Sequence, residues 1–394
     1  MTVPSASAGR APRRLFSARG LVLAIVMIVM LGGWMAGGDL LDLPVMADDP
    51  TTPGESPTTP PPPIQTPTWD TTTSGSVSFA FVGDITFGRA RQRPPRGSGT
   101  IFDRVRGALQ ADITMGNLET AIGNMGASKC SPGSTSCYTF VAHPDAAQAL
   151  ADAGFDIMTV ANNHSRDAGE SGVLSTQRFL KEAGVKWTGN PGQITYIDVE
   201  EEGIRVGFLG FAPYWSVANA LDIQNAKKMV AQAKKNADLV VVFFHLGAEG
   251  TGSQHVRPGT EHAFGENRGD PMAFSRAVID SGADLVVGSG PHVLRGMQWY
   301  KGKLIAYSLG NFSGFNTLSH SGALGVSAIL HVTLDKKGQF VVGSVTPVLM
   351  VSPGFPRIDP KGTAINSMSR LSQQDFGGKG AVSLARNGTI NPPK

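Results

Sequence analysis

Cysteine is almost missing from this chain. Cys130 and Cys137 are the only two in 394 residues, and no histidine or second cysteine pair stands at ligand spacing beside them, which argues against a thiolate metal site. Charge is scarce too, at 16% of residues against 41% apolar, with 49 Gly and 26 Pro; that balance fits neither a coiled coil nor a wholly disordered polymer. Acid is absent from residues 1 to 19 and base from residues 20 to 75. The first stretch carries four Arg and the second six acids, leaving 30 bases against 25 acids in the remainder. So weak a basic excess does not argue for nucleic acid, although it would not repel an anionic substrate.

The one long uncharged run is Gly20 to Gly38, rich in Leu, Val, Ile and Met. As a helix it rises about 28 Å, enough to cross a bilayer, whereas the apolar core of a cleaved signal has about 7 to 15 residues. Arg10, Arg13, Arg14 and Arg19 on one flank and Asp39 and Asp42 on the other place the N-terminus in the cytoplasm. The expected order is a cytoplasmic basic tail (1–19), a transmembrane anchor (20–38), a disordered Pro/Thr-rich linker or stalk (39–75), an extracytoplasmic domain (76–350) and a loosely structured C-terminal extension (351–394). The competing reading is a secreted protein cleaved near Val45, Met46 and Ala47. In either case the domain is exported, and Cys130 and Cys137, seven apart, then favour a disulfide over two free thiols.

From Val77 onward short apolar runs alternate with amphipathic segments. Strands are expected at Val77 to Val82, Ile113 to Met115, Phe155 to Val160, Arg205 to Phe211, Asp238 to Phe244, Asp284 to Val287 and Leu304 to Tyr307. Most of these runs are continuous, as in strands covered on both faces, and the helical patterns fall at Pro144 to Ala153, Ser171 to Ala183, Ala226 to Ala237 and Pro271 to Ser281. The class is α/β, closed by antiparallel strands at Val326 to Leu334 and Gln339 to Leu349.

Five of the strands end in residues able to bind a metal. They are followed by Gly83-Asp84, by Gly116-Asn117-Leu118-Glu119, by Asn162-Asn163-His164, by His245-Leu246-Gly247-Ala248-Glu249, and by Gly290-Pro291-His292. Sites in open α/β sheets form at the carboxyl ends of strands, so these residues can converge although they span most of the domain. Carboxylate, amide oxygen and imidazole together suit a divalent transition metal such as Mn, Fe or Zn.

These motifs, with Arg89, Asp167, Gly169, Gly172 and the run Tyr307 to Phe312, resemble the CapA family of bacterial capsule and poly-γ-glutamate synthesis over about residues 77 to 315. The family is a branch of the calcineurin-like metallophosphatases, so the resemblance implies a two-sheet α/β sandwich flanked by helices, with one or two ions at its strand ends. It implies Asp84 and His292 at a first metal, Asn163 and His245 at a second, and Glu119 rather than Asn117 as the bridge. His164 would move the proton, Asp167 would orient it, Arg89 would clamp an anion, and Asn117 and Glu249 would support the ligands or, for Glu249, join them.

The implied activity is a metal-dependent hydrolase acting on a phosphate- or amide-linked envelope polymer; the alternative is a non-catalytic accessory or binding subunit. Implied partners are an anionic cell-envelope polymer or its precursor, the membrane through the single helix, and other polymer-synthase subunits. Two positions depart from the superfamily pattern: Thr86 and Gly290 stand where histidines are expected, which leaves a single-metal or metal-free site open. Glu249 or His255 would have to make up the count. The segment Gly250 to Asp270 has no apolar run and reads as a lid or a solvated loop.

Overall fold

The computed structural model describes residues 75–89, 91–123, 128–130 and 137–393. The expected tail and membrane span, and all of the linker up to residue 74, lie outside them. Among the described residues no helix is long and apolar enough to cross a membrane.

Two sheets carry the structure. The larger has eight strands in the order Phe355–Ile358, Phe340–Val351, Val326–Asp335, Ser76–Thr86, Ile113–Leu118, Ile157–Thr159 and Lys186–Thr188, with Asn311–Gly314 pairing alongside the end of Ser76–Thr86. The smaller has six, in the order Met297–Tyr300, Lys303–Ala306, Leu285–Ser289, Leu239–His245, Ile204–Phe211 and Thr195–Val199. In the larger sheet the strands from Ser76–Thr86 through Lys186–Thr188 run parallel and those on the other side antiparallel, whereas in the smaller sheet the middle strands run parallel and both outer ones antiparallel.

Strand period explains the continuous apolar runs. Along Leu239–His245, Leu239, Val241 and Phe243 enter the core shared by the two sheets. Val240, Val242 and Phe244 face the other way, onto Ala226, Met229 and Val230 of helix Ile223–Asn236 and Phe274 and Val278 of helix Pro271–Ile279. The first strand does the same, with Val77, Phe79 and Phe81 inward and Ala80 and Val82 toward helix Asp145–Ala153. Each face needs an apolar partner, so polar alternation disappears. Across the shared core the rings of Phe79 and Phe208 meet edge to face at 6.4 Å. Helix Pro271–Ile279 starts where Asp270 accepts from the Ala273 amide and Pro271 presets the first turn.

The C-terminal segment is not loosely structured. Phe355–Ile358 extends the larger sheet, helix Thr363–Gly380 follows, and Ala364, Ile365, Met368, Val382 and Ile390 are buried in the shared core. Its sequence is rich in Ser, Gly and Gln, and packing against two sheets, not propensity, forms the helix.

Candidate metal centre

The first motif depends on a close approach of two backbones. A Cβ on Gly83 would fall 1.9 Å from Gly310 O, so only glycine fits there, and the Asp84 amide then donates to Gly310 O at 3.0 Å. In register, Asp84 lies level with Asn117 on one neighbouring strand and Asn311 on the other. Glu119, one residue past its strand, is pinned by its amide donating to Ile85 O at 2.9 Å. His245 is the last residue of its strand, level with Ser289 of the next. Asp84, Asn117, Glu119, Asn163 and His164 thus come from the larger sheet, His245 and His292 from the smaller.

Two imidazoles span two buried carboxylates. His245 Nδ1 stands 3.6 Å from Asp84 Oδ1 and its Nε2 4.0 Å from Glu119 Oε1. His292 Nδ1 stands 3.1 Å from Asp84 Oδ2 and its Nε2 3.7 Å from Glu119 Oε1. His292 has φ +60°, a left-handed backbone that costs a non-glycine residue on the order of 1 kcal/mol or more, and Asn311 Oδ1 braces its ring at 2.8 Å. Asn117 donates to Asp84 Oδ1 at 2.8 Å while its own oxygen accepts from Asn162 at 2.9 Å, so it is a brace for the carboxylate and not a bridge.

The donors fit a cation. Asp84, Glu119 and His245 offer ligand atoms all within 4.8 Å of one another. Both oxygens of Glu119, Nε2 of His245 and Oδ1 of Asn163 are buried with no hydrogen-bond partner among the described residues, and each such orphan costs roughly 1–3 kcal/mol unless something fills its lone pairs. Burial pushes the Glu119 carboxyl up, against the pull of His292 and with the help of Asp84. Burial would discharge His292 and His245, but Glu119 and Asp84 hold both imidazoles above their usual range.

Beside this cluster sits a histidine and carboxylate pair. His164 Nδ1 donates to Asp167 Oδ2 at 2.6 Å, which turns Nε2 toward Glu119 Oε1 at 3.9 Å. Burial wins over Asp167 and pushes the ring down to about 4. Phe140 stacks on the ring at 4.2 Å between centroids, and its amide donates to Asp167. Lys129 closes the other side, 2.6 Å from Asp167 Oδ1 and donating to Asn163 O at 2.9 Å. The disulfide between Cys130 and Cys137 forms as expected and ties the residue after Lys129 to the segment leading to Phe140. Arg89 lies one ring away, 5.1 Å from the Tyr138 centroid and 5.8 Å from that of Phe140, not against the carboxylates.

The two departing positions are explained locally. Thr86 is buried and hydrogen-bonded through its hydroxyl to Thr317. Gly290 has φ +111°, and a Cβ there would lie 2.9 Å from both Leu246 N and Leu246 O, so the backbone excludes a histidine. Both proposed stand-ins already have a charged partner. His255 pairs with Asp375 at 2.7 Å, and Glu249 is held by Arg268 while its Oε2 lies 3.7 Å from His292 Nε2. Sequence context does not mark Arg268 or Lys129 as site residues; Arg268 is visible only as a cation inside a stretch with no apolar run, whereas Asn311 lies in the strand-end run Tyr307 to Phe312.

The chain is 30% identical over 268 residues to the PGA biosynthesis protein CapA of Bacillus subtilis (strain 168), covering 63% of this chain and 66% of that protein. It is 30% identical over 262 residues to the capsule biosynthesis protein CapA of Bacillus anthracis, covering 60% and 59% respectively. It therefore spans less than two thirds of either. Among solved structures, a 5'-nucleotidase precursor from Thermus thermophilus aligns with 76% of this chain and 59% of its own at a TM-score of 0.38 and 16% identity, too low to transfer chemistry. The family model of the bacterial capsule synthesis protein PGA_cap matches residues 78–315, and the chain belongs to that family.

Proposed function

We propose that this is a membrane-anchored, extracytoplasmic metal-dependent hydrolase of capsule or poly-γ-glutamate-type polymer synthesis, acting on a phosphate- or amide-linked anionic envelope polymer. The observation that carries the reading is the group of buried, partnerless donor atoms on Glu119, His245 and Asn163 beside Asp84, with the His164 and Asp167 pair turned toward it. The names of the two Bacillus relatives support the polymer; the charge arithmetic of residues 1 to 38 supports the anchor.

Asp84, Glu119, His245 and His292 would hold a divalent ion of the Mn, Fe or Zn type, with Asn163 contributing its amide oxygen. Such an ion supplies charge stabilisation to a phosphoryl or acyl oxygen. Asp167 fixes the tautomer of His164, so Nε2 is the atom that takes up or returns a proton at the cluster. Phe140 and burial keep water from that ring and keep it neutral near pH 7. Lys129 balances Asp167.

The accessory reading has one observation in its favour: Thr86 and Gly290 are built into the fold as non-ligands. Purified protein supplied with Mn2+ and offered a generic phosphodiester and poly-γ-glutamate separates the two. Hydrolysis that falls roughly 10²- to 10⁴-fold in His164→Gln with bound metal unchanged supports the enzyme; binding of poly-γ-glutamate without cleavage of either substrate would mean an accessory subunit.

A further inference from the structure

The resemblance implies up to two ions, but among the described residues only one group of carboxylate and imidazole donors lies within mutual reach, that of Asp84, Glu119 and His245. Thr86 is spent on Thr317, Gly290 has no room for a side chain, Asn117 is spent on Asp84 and Asn162, and His255 is spent on Asp375. Glu249 remains, and an arginine already pairs with one of its two oxygens. The side chain of Arg268 is 3% exposed, paired with Glu249, and 3.3 Å through Nη1 from Glu266; its Nε has no hydrogen-bond partner among the described residues.

The backbone holds Arg268 on both sides. Its amide donates to Glu261 O at 2.9 Å, and its carbonyl accepts from the Gly247 amide at 2.9 Å, two residues beyond His245. Glu261 is itself gripped by the fully buried Arg295, with Nη2 to Oε2 at 2.6 Å. The segment from Gly250 to Asp270 is largely exposed but is anchored at Glu261 and Arg268. It delivers one guanidinium to the edge of the centre, where Glu249 links it to His292 at 3.7 Å.

Resting on the metal reading above, we infer that the centre holds a single divalent ion, and that Arg268 is the fixed second positive charge in place of a second ion. A guanidinium cannot lose its charge near neutral pH and cannot exchange, so the site keeps an anion-attracting charge whatever the metal supply. The ion count and the roles of Arg268 and Glu249 can be read without measuring hydrolysis.

Full-length protein stripped by chelation and titrated with Mn2+ is read by calorimetry and by metal analysis after desalting. One equivalent per chain is expected. Arg268→Met, which leaves Glu249 unpaired, should admit a second equivalent, tightening that step by about tenfold or more, whereas Arg268→Lys should stay at one. Two equivalents on the unaltered chain would overturn the inference and leave the metal reading standing. An unchanged single equivalent in a folded Arg268→Met would overturn the role of Arg268. No bound metal at all would overturn the metal reading as well. If Arg268→Met does not fold, the count on the unaltered chain and on Arg268→Lys still decides against two ions or for them.

Discussion

Gly290 and Gly83 set what the surrounding chemistry can be. At Gly290 a positive φ and the nearby Leu246 backbone act together, and at Gly83 the Gly310 carbonyl alone suffices. Gly290→Ala should therefore destabilise the protein by about 1–3 kcal/mol in urea unfolding, through strain at φ and displacement of the loop after His245. Unchanged unfolding in that variant would mean the backbone can yield, and a missing histidine there would then need another explanation. The donor side chains Asp84, Glu119, His245 and His292 were legible from sequence because each follows or ends an apolar run, and a strand end is visible in one dimension. The pairings of Arg268 with Glu249 and of Lys129 with Asp167 were not legible, because they join residues 19 and 38 positions apart in loops with no period.

Elements with two buried faces were read correctly for a simple reason: a run such as Leu239 to Phe244 has no polar residue to place in water. The helix Thr363–Gly380 escaped because its buried residues, Ala364, Ile365, Met368 and Leu371, are thinly spaced among Ser, Asn and Gln. It is nevertheless part of the core, since Ile365 and Met368 join the cluster that contains Phe79 and Val241. Met368→Ala should cost roughly 2–5 kcal/mol in denaturant unfolding, as for other fully buried long side chains. A cost below about 1 kcal/mol would return the segment to the status of an appendage. The short strand Lys186–Thr188 and the hairpin formed by His262–Ala263 and Glu266–Asn267 also went unread, being too short to show a period.

One part of the molecule's acid response comes from the buried His331. Burial pushes His331, 2% exposed, from 6.5 down to about 4, against a raising contact with the Ala108 backbone. As pH falls below 6.5 the unfolded chain takes a proton at this residue that the folded chain refuses, so the contribution of neutral His331 to stability is fully present above that value. It then drains toward pH 4, by on the order of 3 kcal/mol for this residue. His331→Gln should flatten the fall in stability between those limits, measured by urea unfolding at a series of pH values; a slope equal to that of the parent would show that His331 titrates alike in both states. Charge over the chain has a second meaning at this scale. The formal excess of base after residue 75 coexists with a buried group of donors, Asp84, Glu119 and His245, that could hold a cation. Metal content of the protein purified without chelator, compared with Glu119→Ala and His245→Ala, tests that centre most directly. About one Mn, Fe or Zn per chain in the parent, lost in both variants while they remain folded, is the predicted result. A parent without metal, with a melting temperature that added Mn2+ does not move, would contradict it.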